Sequence, residues 1–221
     1  MITLAIDAST YHGDVALLDG DRVLGGAAVA MKDAHHERLM PSVADVLQQR
    51  RKTPRDLQRI VCGGGPGSFT SLRIAGGIAK GLAAGVGLPL FAVPSLALIV
   101  AGELRAPGRY LGILDAMRGE FYAGLYQVSD TGDVIELERA IVVAADQVET
   151  LAAQSEARII GPTTFDGGVQ ALPKATGVVR LEQMVASSGP VDLASWEPTY
   201  GRLAEAQVKW ESQHGRPLPV G

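Results

Sequence analysis

A single cysteine, Cys62, occurs in the 221 residues. That excludes an internal disulfide and any cysteine-rich metal centre. Its place at the end of the apolar run Ile60-Val61-Cys62 predicts an inert, packed thiol. Aromatic side chains are scarce at 5 %, so a core has to be assembled from Ala, Val, Leu and Ile. Basic runs are nearly absent. Arg50-Arg51-Lys52 stands alone, too little for a chain that grips nucleic acid unaided. Residues 1–7 read Met-Ile-Thr-Leu-Ala-Ile-Asp, without a basic n-region, which predicts no secretory signal and a cytoplasmic location. The 22 uncharged residues from Gly81 to Gly102 are broken by Gly85, Gly87, Pro89 and Pro94. They read as a helix end, a short buried strand and a helix start rather than a membrane span.

What is present is apolar material. Hydrophobic residues make up 47 % and charged residues 20 %, enough to build a sizeable core and to exclude wholesale disorder. The length allows one large domain or two small ones. The net charge of −4 is unevenly placed. Residues 1–100 hold ten Lys/Arg against eight Asp/Glu, and residues 101–221 hold ten against sixteen.

Patterning divides the chain at Ala106-Pro107-Gly108. Before it, strands are predicted over 2–6, 15–18 and 22–30, the last two joined by Asp19-Gly20-Asp21 as a hairpin. A helix over about 34–49 follows from the spacing of Leu39, Val43, Val46 and Leu47, with Pro41 tolerated in its first turns. Thr53 to Leu57 suggests a capped turn. Next come a strand over 59–62, a glycine loop over 63–67, a helix over about 68–84, a strand over 90–93 and a helix to 103 capped by Ser95. After the break, strands are predicted over 110–115, 121–128 and 134–143, a helix over 146–154 and a strand over 158–160. The tail from Trp196 to Trp210 reads as a turn and helix. Both parts open with a strand meander and then alternate helix and strand, without residue-level repetition.

Two motifs invite a phosphate reading. Asp7-Ala8-Ser9-Thr10 ends the first strand with a carboxylate and two hydroxyls; such a turn can hold phosphate on its amides with a metal beside the acid, or simply satisfy its own backbone. The run Gly63-Gly64-Gly65-Pro66-Gly67-Ser68 leads from strand to helix, where free amides and a partial positive charge suit an anion. No Gly-Lys-Ser/Thr follows, so it is not a Walker A loop. The alternative is a tight turn capped by Ser68. Along the next helix, Gly77, Gly81 and Gly85 fall at i, i+4 and i+8. Each glycine costs roughly 1 kcal/mol of helix propensity, and the simplest offset is close approach of another backbone, either the protein's own sheet or a second chain. His35 and His36 are adjacent and point about 100° apart on a helix. With Leu39 four residues after His35, they do not make a metal pair. Solvent-facing or partner-facing roles suit them better. No nucleophile–base or paired-carboxylate arrangement is evident, and Asp115 has no assigned role.

Taken in order, Ile6-Asp7-Ala8-Ser9, His35 to Pro41, Gly65 to Ile74, Leu88 to Leu96, Asp115 to Tyr122 and Pro198 to Arg202 resemble the bacterial TsaB (YeaZ) family of tRNA threonylcarbamoyladenosine biosynthesis proteins. The resemblance covers residues 2–126 well and is loose beyond about 130. It implies an α/β, two-lobed fold of the actin/sugar-kinase-like (ribonuclease H-like) kind. One lobe would span 1–105, completed by the 196–221 tail, and the other 109–190. It also implies a non-catalytic partner subunit that scaffolds and activates TsaD, the transferase that attaches threonylcarbamoyl to the adenosine beside the tRNA anticodon. The ATPase TsaE would belong to the assembly, with tRNA met only through the complex and a homodimer in isolation. The family's catalytic relative carries a His-x-x-x-His metal pair where this sequence has His35 and Leu39, so neither metal nor catalytic residues are expected. Ser71 and Ala75 stand where the family often has glycine. The implied interface is His35, Leu39, Val43, Arg73, Ile74, Gly77, Ile78, Gly81 and Gly85. Asp7, Ser9, Thr10, Gly65, Gly67 and Ser68 would form a vestigial phosphate or nucleotide loop. No cofactor would be tightly bound, ATP/ADP and Mg being admitted only in the assembled complex. The competing expectation is an ATP- and metal-dependent small-molecule kinase or transferase acting alone through Asp7 and the 63–67 loop.

Overall fold

The computed structural model describes residues 1–31 and 37–201. Two five-stranded mixed sheets form the frame. The first contains β1 (Ile2–Asp7), β2 (His12–Asp19), β3 (Arg22–Ala30), β4 (Arg59–Gly63) and β5 (Leu90–Val93), in the order β3-β2-β1-β4-β5. The second contains β6 (Gly108–Asp115), β7 (Glu120–Val128), β8 (Val134–Ala144), β9 (Ala157–Gly161) and β10 (Val169–Gln170), in the order β10-β9-β6-β7-β8. Counted from each sheet's own first strand, the two orders are identical. In each, a three-stranded antiparallel meander is extended by two parallel strands. The meander strands are joined by short turns, whereas parallel neighbours need crossovers, and these bring in the helices.

Among the described residues, five helices cover the sheets: α1 (Leu39–Gln49), α2 (Phe69–Val86), α3 (Ser95–Ala101), α4 (Val148–Gln154) and α5 (Glu182–Ser188). Every residue of α3 is buried, because it lies between the sheets. Leu96 and Ile99 share one cluster with Ala5, Ala16 and Val61 of the first sheet and Tyr110, Leu114 and Tyr126 of the second. The two halves therefore share an interior. A second cluster packs α1 and α2 on the first sheet, and a third packs α4 on the second. Cys62 is fully buried, and burial pushes its thiol far up from its ordinary value, as expected of a packed thiol.

Several boundaries differ from the sequence reading. Helix α1 starts at Leu39, where the Glu37 carboxylate accepts the amides of Leu39 and Met40; residues 34–36 of the expected helix, with His35 and His36, lie outside the described residues. Residues 145–147 form a 3₁₀ turn, so α4 begins only at Val148. Strand β10, a 3₁₀ helix over Ala175–Arg180 and α5 carried no periodic signal long enough to read. Of the turn and helix expected over Trp196 to Trp210, only the first residues are described. Residues 196–201 are irregular, and 202–210 fall outside the described residues. Among the described residues, no helix is long and apolar enough to cross a membrane.

Candidate functional site

The parallel strands β1, β4 and β5 end together, the edge at which open α/β sheets bind ligands. Asp7, the last residue of β1, is 1 % exposed there. Its Oδ1 accepts the Ser9 amide at 3.0 Å and the Ser9 hydroxyl at 2.8 Å, and its Oδ2 accepts the Ser95 hydroxyl at 2.6 Å. Burial raises the carboxyl pKa, and these three donors pull it back. The Ser95 Oγ in turn accepts the Gly65 amide at 3.0 Å. A relay thus runs from the end of β1 through the start of α3 to the glycine loop. Ser95 is therefore no helix cap: Pro94 holds that position, and the Ser95 hydroxyl is committed to Asp7.

The loop itself is tightly filled. The Gly64 amide donates to the Val93 carbonyl at 2.8 Å, and the Ser68 amide to the Ser9 carbonyl at 2.7 Å. With Gly65 bound to Ser95, three amides that an anion would need are engaged inside the protein. A methyl group at Gly63 would collide with the Asp7 carboxylate, and one at Gly67 with the Ser9 carbonyl. The glycines thus permit close approach of protein to protein. Ser68 occupies the N-cap position of α2 without a side-chain capping bond; its hydroxyl reaches Ser71 Oγ at 3.1 Å. Thr10 bonds the backbone of His12 through its hydroxyl. Asp7, Ser9, Gly65, Gly67 and Ser68 are thereby brought together, with Thr10 turned toward the next strand.

Residues 191–201 run from the start of β5 to this edge. The Val191 amide donates to Leu90, Lys80 Nζ to the Trp196 carbonyl at 2.9 Å, and the Thr199 amide to the Gly64 carbonyl at 2.7 Å. Pro198 rests on Gly76, whose missing side chain leaves the room. The Tyr200 ring meets Phe69 at 4.4 Å between centroids, and the Arg73 guanidinium lies 5.3 Å above the Phe69 ring. The Tyr200 carbonyl accepts the Tyr122 hydroxyl at 3.1 Å. The family resemblance pointed to Pro198–Arg202 and to a tail returning to the first lobe, and residues 196–201 do lie there; the contacts with Gly64, Gly65 and Gly76 were not read from the sequence.

Outward, α2 presents another surface. A side chain placed at Gly77, Gly81 or Gly85 would meet no described atom within 4 Å, and all three are exposed, as is Arg73. The glycine line therefore does not face the protein's own sheet. Ile74 and Ile78 flank it, half-buried. Leu39 and Val43 do not belong to this surface: both are 0 % exposed, packed in the α1 core, because the apolar stripe of α1 serves the first sheet. Met40, Pro41, Ala44, Asp45, Gln48 and Gln49 are what α1 turns outward. Among the described residues, no group of three or more His, Cys, Asp or Glu is placed to hold a metal ion. A cavity of about 680 Å³ lies at the start of β6 and β9, lined by Arg109, Arg158, Glu149 and Glu156. It belongs to the second sheet and contains no residue of the glycine loop.

Comparison with known proteins gives consistent results. The family model of TsaD, tRNA N6-adenosine threonylcarbamoyltransferase, matches residues 29–188. The tRNA threonylcarbamoyladenosine biosynthesis protein TsaB of Bacillus subtilis is 32 % identical over 231 aligned positions, covering 96 % of this chain and 100 % of the relative. TsaB of Escherichia coli is 37 % identical over 134 positions, covering 60 % and 58 %. The solved structure of YeaZ from Pseudomonas aeruginosa superposes with a TM-score of 0.73 at 28 % identity, covering 90 % of this chain and 99 % of that one. A second Pseudomonas aeruginosa structure, described as similar to peptidase YeaZ, gives a TM-score of 0.77 at 28 % identity, covering 91 % and 99 %.

Proposed function

This chain belongs to the TsaB (YeaZ) family of tRNA threonylcarbamoyladenosine biosynthesis proteins, and from that premise we propose that it serves as the non-catalytic partner subunit of the threonylcarbamoyl-transferring assembly. Its direct partner is TsaD, which it scaffolds and activates. TsaE joins in the assembly, and tRNA is met only through the complex. The work takes place in the cytoplasm. In isolation the chain pairs with itself through the surface that TsaD would use, so the two pairings compete.

The observation that carries this reading is the open glycine line of α2. Three glycines on the outer face of an 18-residue helix weaken that helix and offer nothing to the protein's own packing. A partner's backbone gains from them, because it can come within van der Waals contact of the helix axis. Arg73, its guanidinium above the Phe69 ring, borders the same helix face and is of a type that anchors interfaces. A stable pairing would cover roughly 1,200–2,000 Å² in total. The engaged amides of the glycine loop support a chain that binds no cofactor tightly by itself, with ATP or ADP and Mg held in the assembled complex.

One omission and one variant test the division of labour. In a reconstituted system, omitting this chain should abolish modification of tRNA, whereas His35→Ala should leave it nearly intact. A loss of about three orders of magnitude or more in His35→Ala, with folding and assembly preserved, would assign this chain a chemical step.

A further inference from the structure

We infer that residues 196–201 form a strap that acts as an internal ligand of the glycine loop and locks α2, with its outward glycine face, in place; this rests on the partner reading above. The strap fills the ground between the first sheet's parallel-strand ends and β7. Thr199 enters the loop from outside: its amide donates to the Gly64 carbonyl, and its own carbonyl packs where a Gly65 side chain would stand. Gly65 has φ of +89°, so glycine is needed there both for the backbone and for the approach. Pro198 is buried, with its ring 3.0 Å from where a Gly76 methyl would sit, and the Trp196 indole borders both Gly64 and Gly76. Three glycines on two elements thus accommodate one short segment.

Four contacts tie the strap to α2 along most of its length. They are Tyr200 on Phe69, Pro198 and Trp196 on Gly76, and Lys80 Nζ on the Trp196 carbonyl. Positions 76 and 77 are consecutive. The strap holds the inner side of α2 one residue away from the line that faces outward, so the height and tilt of that line depend on it. On the far side, Gly201 lies against the Tyr122 ring of β7, and Tyr122 donates to the Tyr200 carbonyl. The strap therefore also bridges the two sheets. Trp196, Pro198, Thr199 and Tyr200 are positioning residues for the partner face and need touch no partner.

Native-state amide exchange on the full chain reads this directly. The Thr199 amide should exchange at least about 100-fold more slowly than in an unstructured peptide. In the double variant Trp196→Ala/Tyr200→Ala that protection should fall to within about tenfold of the peptide. The first two turns of α2 should exchange about tenfold faster or more, while the amides of β1 and β4 stay protected and report an intact fold. Thr199→Pro, which deletes the donor and stiffens the backbone around it, should act in the same direction. Self-association and TsaD binding should weaken about tenfold in both variants. A wild-type Thr199 amide that exchanges at the peptide rate would overturn the inference. So would a released strap that leaves α2 exchange unchanged. Gly81→Leu serves as the reference for the face itself. If Gly81→Leu associates normally, the partner reading fails while the exchange results still decide the strap. If Gly81→Leu abolishes pairing and the strap variants pair like wild type, the face stands and the coupling is refuted.

Discussion

The two halves of the molecule share one wiring scheme and use it differently. In each, the first strand ends in an aspartate that accepts the amide two residues on, Asp7 from Ser9 at 3.0 Å and Asp115 from Met117 at 2.6 Å. In each, the second parallel strand ends in a glycine with no room for a side chain, Gly63 against Asp7 and Gly161 against Ile113. From there they diverge. Asp7 is buried and tied to Ser95, whereas Asp115 is exposed. Gly63 leads through more glycines into an 18-residue helix; Gly161 leads to the two-residue strand β10. The outer strands differ as well. β3 is backed by α1, while β8 leaves Ile135, Leu137, Ile141 and Val142 exposed. Its pairing with β7 shifts register twice, around Glu136 and Glu138. Shared topology thus fixes where turns fall, and local residues decide which turn becomes a working surface.

The largest effect should come from Asp7→Ala. It leaves the Ser9 and Ser95 donors without their buried acceptor and should cost about 2–4 kcal/mol of stability in urea melts. Asp115→Ala, at the matching exposed station, should cost less than about 1 kcal/mol. Equal costs would mean that the two turns are equivalent after all. Next in size is a pH effect at the seam between the halves, where Asp14 of β2 accepts the Ala175 amide at 2.7 Å. Burial raises the Asp14 carboxyl to about 6 against an ordinary 3.8. The folded state therefore binds this proton more tightly than the unfolded state does. Its contribution is fully present below about pH 4 and is lost as pH rises through about 6. Asp14→Asn should flatten the stability profile between those values by about 1–3 kcal/mol. A profile unchanged by the substitution would contradict the cause. The smallest effect concerns β8. Glu138→Val should leave stability within about 0.5 kcal/mol but raise the aggregation rate, because an edge charge is lost beside exposed apolar residues.

Much of this was legible in the sequence. Hairpin signals and apolar runs located the meanders, since Asp19-Gly20-Asp21 and the alternation in residues 110–128 are local chemistry. The long periodic stripe of α2 gave its extent to within two residues. Gly77, Gly81 and Gly85 marked a surface where a backbone could approach, but which side they faced needed the third dimension. Leu39 and Val43 were misplaced for the same reason: an apolar stripe does not say whether it serves the core or a partner. Pro198–Arg202 was flagged by family resemblance alone, and residues 175–195 not at all, because the contacts of this stretch with Asp14, Gly64, Gly76 and Tyr122 are all distant in sequence and carry no period.

On the proposed reading, the outward face of α2 is a pairing surface rather than a site of chemistry. The most direct test is Gly81→Leu, followed by light scattering on size-exclusion fractions, alone and with TsaD, beside a thermal melt. A melting temperature close to wild type, with self-pairing and TsaD pairing weakened about a hundredfold or more, is the result expected of a bulky side chain placed where backbones meet. Normal pairing by a normally folded Gly81→Leu chain would contradict the account.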